Sequence, residues 1–275
     1  MSNNYYYLIS GLPEISFDQL KLGFTLQEFK NNLEENLEKE DLQLVELIFL
    51  QEDNVNLINF LEKKDRPFKE TGNYSKEELE EGIKEPGNLP IYMQDFMHAY
   101  KEDAPIFPGL SLENQLTTLY YNYVLDTKNE FLFNWFEFSL NLGNAITAIN
   151  CRIHNIPTGN QIIGNNYVAQ NLKKSNARDF GLGDEIPYIE KLNQLFEGKI
   201  AIEREREIDL IKWQYLDEAT IFEYFSTEEV LSYTIKLRIL SRWMKLDPET
   251  GKVFFSSLLK ELENSFEFPK EFALK

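Results

Sequence analysis

The 275-residue chain has one cysteine, two histidines and few basic residues for its length, and each shortage removes a class of function. Cys151 has no partner for an internal disulfide, and on an apolar helical stretch a lone cysteine reads as a small core residue rather than a nucleophile. With only His98 and His154, a zinc site lacks its ligands. Asp95 and His98 stand at i and i+3, half of the spacing used in di-iron bundles, but the second carboxylate–histidine pair is missing. Neither metal nor cofactor is expected. No stretch approaches the ~20 apolar residues of a membrane span. The opening MSNNYYYLISGLPEI has no basic start and only a short apolar run, so no signal peptide is expected either. Against 46 acidic residues stand 28 basic ones, and the resulting net charge of −18 repels phosphate backbones and anionic headgroups. The expectation is a cytoplasmic protein with no nucleic-acid partner and no direct membrane insertion, suited instead to a protein surface carrying a basic patch.

Catalytic signatures are missing as well. The glycines of TGNQIIGNN and FGLGDE are not followed by Gly-Lys-Ser/Thr and do not sit between a strand and a helix, and FPGLS lacks the Gly-x-Ser-x-Gly elbow. No nucleophile and base can be paired. The chain is expected not to be an enzyme.

What is present is apolar side chains in helical register. Apolar residues make up 43% of the chain and aromatics 14%, more than a disordered chain tolerates, so a folded core is required. Thr25 and Glu28 have capping-box spacing ahead of Leu26, Phe29, Leu33 and Leu37. DLQLVELIFLQ and DNVNLINFLEKK follow as two helices, each opening on an aspartate suited to an N-cap. Residues 63–74 read as a loop. Ser75 and Glu78 open a short helix closed by EPGNLP, another runs from Ile91 to Tyr100, and Ser111 starts one lined by Leu112, Leu116, Leu119 and Tyr123. The central stretch from Phe131 to Ile153 is apolar almost all round, which marks a buried helix, stopped by Pro157. Residues 156–187 form an irregular connection with room for one short helix. Ser226 and Glu229 cap a long helix, and the turn DPETG leads to a last one carrying Phe254, Leu258 and Leu262. The fold class is all-α. YYYLIS becomes an N-terminal helix stopped by Gly11 and Pro13, with Tyr6 or Tyr7 buried.

Two charged stretches stand out. EREREID, residues 203–209, reads either as a solvated helix start laced with ion pairs or as a source of arginines, Arg204 or Arg206, that reach a buried carboxylate or a partner. Arg238, Arg242 and Lys245 form a stripe at i, i+4 and i+7 beside Trp243; it suits the helix dipole, and it equally suits a protein interface, where Trp and Arg are favoured. DNVNLINFLEK, LGNAITAIN and EIDLIKWQYL show a weak mutual similarity, each with Asn or Asp before an apolar run, as amphipathic helices with polar starts commonly do.

Taken as a set, YYYLISGLPEISFD, FEFSLNLGNAITAINCR, REREIDLIKWQYLDEA and LSYTIKLRILSRWMKLDPETGK resemble a bacterial family of uncharacterised proteins encoded among V-type ATPase subunits. That family is similar to the C/d-type component of V-type and A-type ATPases, the all-helical funnel between the central stalk and the membrane rotor ring. Tyr5 and Tyr7 match the funnel family's Tyr-x-Tyr opening, and Asn141, Asn144, Ile146 and Arg152 match its Asp/Asn-x-x-Asn-Ile/Leu run ending near a basic residue. Gly11, Leu12 and Pro13 replace the arginine expected after the tyrosines. The resemblance implies three helical lobes within one all-helical domain, 1–105, 106–160 and 185–275, and a non-catalytic, structural role that couples the stalk to the rotor in proton or other ion transport. Its implied partners are other V-type ATPase subunits. Arg238, Arg242, Trp243 and Lys245 are then the contact residues, and Asn144, Arg152, Asp209 and Trp213 support the lobes internally. A soluble helical adaptor that binds an unrelated protein is the alternative.

Overall fold

The computed structural model describes residues 5–19 and 21–244, and all the regular structure among them is helical. Eleven α-helices appear in order: α1 Tyr6–Gly11, α2 Leu26–Asn36, α3 Lys39–Leu61, α4 Lys76–Lys84, α5 Ile91–Lys101, α6 Leu112–Val124, α7 Glu130–Ile153, α8 Tyr167–Lys174, α9 Ile189–Gly198, α10 Ala201–Ala219 and α11 Thr227–Met244. Lys245, the DPETG turn and the helix expected around Phe254, Leu258 and Leu262 lie outside the described residues.

Local chemistry sets most helix starts. Thr25 with Glu28 and Ser75 with Glu78 form reciprocal capping boxes, in which the glutamate side chain accepts the cap residue's own N–H at 2.7 and 2.8 Å. Ser111, Asn129 and Asn166 each accept an N–H of the first turn at 2.9–3.2 Å. The Ser226 hydroxyl accepts the Glu229 N–H at 3.3 Å, as the spacing predicts.

Two expectations are corrected. DLQLVELIFLQ and DNVNLINFLEKK are one continuous helix, α3, of 23 residues, about 34 Å long. Asp53 caps nothing: it is wholly buried in mid-helix, because the loop that follows α3 folds back and supplies its carboxylate with backbone donors. The central helix α7 ends at Ile153, before Pro157 is reached. Asn155 adopts φ +55°, its N–H meets the Arg152 carbonyl at 3.3 Å, and the Ile156 N–H meets the Cys151 carbonyl at 2.8 Å, the two bonds of a Schellman stop. α3 ends the same way, with Lys63 at φ +50° and the Lys64 N–H on the Asn59 carbonyl.

α3 and α7 organise the packing. α3 touches α4, α6 and α11; α7 touches α6, α8 and α9; α10 joins α9 to α11, and α11 returns to α2 and α3. The buried side chains form one contiguous cluster from Tyr5 to Leu240, so the stretches expected as lobes share a core. The connection at 156–187 contributes Ile162, Val168, Leu172, Phe180 and Leu182 to it and carries the single short helix α8 that its length allows. Cys151 is buried, as a small core residue would be.

The N-terminal segment is helical but turned differently from the expectation. Tyr5, at the N-cap, is the buried tyrosine; its hydroxyl bonds the Asp41 carboxylate at 2.5 Å and accepts the Glu38 N–H at 3.2 Å. Tyr6 and Tyr7 are exposed. A helix of six residues has only one inward side, here taken by Leu8, Ile9 and Leu12, and Tyr6 and Tyr7 lie off it.

Candidate functional site

The basic stripe of α11 faces carboxylates of the protein itself. Arg238 Nη2 lies 2.7 Å from both Glu52 oxygens on α3, with its guanidinium 5.4 Å from the Phe49 ring. One turn on, Arg242 bonds Asp209 and, at 3.0 Å, Glu205, both on α10. Trp243 donates its indole N–H to the same Asp209 oxygen at 2.9 Å, and Lys212 reaches the other oxygen at 3.0 Å. Asp209 is almost wholly buried, so three donors, two of them cationic, replace its water. The Arg242 side chain remains half exposed at the edge of this cluster. The stripe expected as an outward contact thus joins α11 to α3 and α10, and of its members Arg242 alone keeps large solvent exposure among the described residues. Trp213, one turn past Asp209, is buried under Phe17 at 5.5 Å with the Lys236 ammonium 5.7 Å from its ring.

EREREID follows the first of its expected readings, a helix start laced with ion pairs; among the described residues neither Arg204 nor Arg206 is seen to reach a buried carboxylate. Glu205 and Glu207 make ion pairs with Arg242 and Lys191, Arg206 reaches Asp18 at 2.8 Å, and Arg204 stacks on Phe196 at 4.9 Å. Each arginine crosses to another element, and the Asp18 that Arg206 meets is largely exposed.

A second constellation lies on α3 and α7, where two of the three weakly similar stretches do the same work. Asn56 on α3 donates to the Lys69 carbonyl at 3.0 Å and accepts the Lys69 N–H at 2.9 Å. Asn144 on α7 donates to the Ile163 carbonyl at 2.8 Å and accepts the Ile163 N–H at 2.9 Å. Both amides are buried, and both hold the backbone N–H and carbonyl of one residue in the loop after their own helix. Three residues earlier on each helix stands a second acceptor. Asp53 takes the Asn73 and Tyr74 N–H groups just before α4, and Asn141 takes the side-chain amide of Asn166, the N-cap of α8. A lysine completes each loop, Lys30 on the Gly72 carbonyl at 2.7 Å and Lys173 on the Gly164 carbonyl at 2.9 Å. The sequence similarity therefore has a structural content: helix, clamped loop, short helix, twice. The third stretch departs from it, since Asp209 pairs with Lys212 on its own helix and with α11.

Arg152 supports the second unit further along. Its guanidinium donates to the Ala177 and Arg178 carbonyls at 2.8 and 3.0 Å and lies 3.9 Å from the Phe180 ring, which is buried at φ +57°. In the first unit burial pushes the Asp53 carboxyl up to about 6, against the Asn73 and Tyr74 N–H groups and the Lys30 charge, which favour the ionised form. The same loss of water lowers Lys30, opposed by the field of Asp53.

Among the described residues no three His, Cys, Asp or Glu side chains are grouped to hold a metal, and no described helix is long and apolar enough to cross a membrane. A feature that matches no motif is TIFEYFS, residues 220–226, where Ile221, Phe222 and Tyr224 project into solvent between α10 and α11. Its one signal in the sequence is four apolar residues in a seven-residue inter-helix turn.

Fold and constellations together define an all-helical protein whose buried polar groups join helices to loops. The chain belongs to a family described as a protein of unknown function (DUF2764), which matches residues 1–266. No curated protein and no solved structure matches it.

Proposed function

We propose that this chain is a non-catalytic, structural subunit of a V-type ATPase or ATP synthase, peripheral to the membrane on the cytoplasmic side and coupling the central stalk to the rotor ring. The observation that supports this reading is the repeated clamp: Asp53/Asn56 on α3 and Asn141/Asn144 on α7 tie each long helix to the loop after it through hydrogen bonds largely shielded from water. A part that transmits torque must resist shear between its helices, and buried, fully paired polar groups give a packed core one register. The Asp/Asn-x-x-Asn run is also the motif on which the resemblance to the C/d-type funnel rests. The ion pairs Arg238–Glu52 and Arg242–Asp209 act in the same sense, since they lock α11 onto α3 and α10. The role is mechanical, and the ion-moving and ATP-hydrolysing chemistry belongs to other subunits.

Affinity purification of the tagged chain from its native cell under gentle solubilisation tests this. Stalk or catalytic ATPase subunits are expected in the recovered complex, and their consistent absence overturns the reading.

The exposed aromatic surface at Tyr7, Phe222 and Tyr224 favours a second reading, a soluble adaptor for an unrelated protein. Recovery of one stoichiometric partner without any ATPase subunit selects it.

A further inference from the structure

Large exposed aromatics gather on two adjoining segments. Tyr7 is 92% exposed, Phe222 82%, Tyr224 74% and Tyr6 55%. They lie on two segments far apart in sequence that are bound together: the Tyr5 N–H donates to the Phe225 carbonyl at 2.7 Å, and the Tyr6 ring packs tilted against Phe225 with centroids 4.7 Å apart. Phe225 sits at φ +59°, a conformation uncommon for a bulky residue, and the turn carries Phe222 and Tyr224 outward beside it. α1 also borders a groove of about 370 Å³, lined by Leu8, Leu12, Phe24 and Phe29 with Tyr7 at its rim, and on α2 by Glu28, Asn32 and Asn36. Glu28, Asn32 and Asn36 follow at steps of four, so one side of the groove runs along a helix face. Aromatic side chains rimmed by polar groups have the composition of an interface core.

The charge around it selects the occupant. Residues 5–16 carry Glu14 and no lysine or arginine, and residues 214–229 carry Asp217, Glu218, Glu223, Glu228 and Glu229 and no lysine or arginine; Asp217 is held by a cation from outside them, Lys236 at 2.7 Å. The groove adds Glu28 and no basic side chain. A second copy would bring the same acidic rim and its own net charge of −18 against this one. An anionic lipid surface is repelled for the same reason. A partner helix with an apolar stripe for the groove and lysine or arginine along its edges meets both requirements, since its cations find the carboxylates and the faces of exposed tyrosines. We propose that α1, the adjoining face of α2 and the 221–225 turn form a docking site for a cationic amphipathic helix of a partner protein. This goes beyond the stalk-coupling reading and does not depend on it.

The test uses the full chain and two labelled helical peptides with the same leucine stripe, one edged with lysine and arginine and the other with glutamate, followed by fluorescence anisotropy at low and moderate salt. The basic peptide is expected to bind more tightly than the acidic one. Tyr7→Ala/Phe222→Ala is expected to weaken it at least about tenfold, while Tyr100→Ala, at an exposed tyrosine on α5, leaves it unchanged. Glu14→Lys/Glu218→Lys, which removes no buried group, should narrow the preference for the basic peptide. Unaltered thermal unfolding of each variant shows that the fold is kept. Equal loss in the Tyr100 variant, indifference to both double variants, or tighter binding of the acidic peptide overturns the assignment. Concentration-dependent dimerisation, or vesicle binding abolished by Tyr7→Ala/Phe222→Ala, overturns it in favour of a second copy or a lipid surface. Failure of the purification described above to recover ATPase subunits leaves these outcomes unaffected.

Discussion

Asn56 on α3 and Asn144 on α7 make the same pair of hydrogen bonds, each amide donating to the carbonyl and accepting the N–H of one residue in the loop that follows its helix. An asparagine in a helix interior is mildly unfavourable for the helix alone. Here each helix carries one because its amide meets both backbone polar groups of one loop residue.

Removing the amide should therefore cost more than helix propensity returns. Asn144→Ala leaves the Ile163 N–H and carbonyl without that partner, and a loss of about 2–3 kcal/mol is expected from the unmade bonds. Asn56→Ala should cost a similar amount. Urea unfolding should show the midpoint falling at constant slope, and a loss under about 0.5 kcal/mol at both positions would sink the clamp.

The Asp209 cluster predicts unequal partners. Asp209→Ala takes the shared acceptor from Arg242, Lys212 and the Trp243 indole at a near-buried site, leaving Arg242 only Glu205, and a loss of about 2–3 kcal/mol is expected. Arg242→Ala acts at a half-exposed side chain and leaves Lys212 and Trp243 on the carboxylate, so about 1 kcal/mol is expected. Equal losses in chemical denaturation would contradict this division.

Two glycines differ in sign. A Cβ at Gly72 would stand 2.2 Å from Asp53 Oδ1, and Asp53 is wholly buried and fixed by the Asn73 and Tyr74 N–H groups, so Gly72→Ala should destabilise by several kcal/mol. Gly143 is exposed on α7 with open space around it, and Gly143→Ala should stabilise by about 0.5–1 kcal/mol. Thermal unfolding of the two variants should move in opposite directions.

Asp53 makes stability fall as pH rises over a defined window. Its carboxyl titrates near 6 in the folded protein, above its ordinary value of 3.8, so the folded state binds the proton more readily than the unfolded chain does. The contribution is fully present below the ordinary value and is lost as pH rises through about 6. Its size is at most about 3 kcal/mol. Asp53→Asn keeps an acceptor for the backbone donors and removes the titration. The variant's stability between pH 4 and pH 6.5 should lose the fall contributed by this group, and parallel profiles for the two proteins would refute it.

Helix positions were legible in the sequence wherever a local device marks them. Thr25/Glu28 and Ser75/Glu78 are capping boxes in sequence and in structure, because cap and third helical residue touch within a single turn. The same local logic misread Asp53, an aspartate ahead of an apolar run that satisfies its carboxylate from a loop twenty residues away in sequence. It also placed the stop of α7 at Pro157, where Asn155 already turns the chain. Of the residues singled out for contact, Arg238 and Arg242 gained carboxylates from α3 and α10 that no spacing on α11 announces.

The sequence by itself determined the all-helical class and most helix starts, since these depend on composition and on neighbours within a turn or two. The tertiary structure alone decided which polar residues are buried, which cations meet which carboxylates, and that Tyr5 faces inward while Tyr7 faces water. Those outcomes depend on where separate helices and loops come to rest, and a burial or a charge pair exists only once both partners are in place.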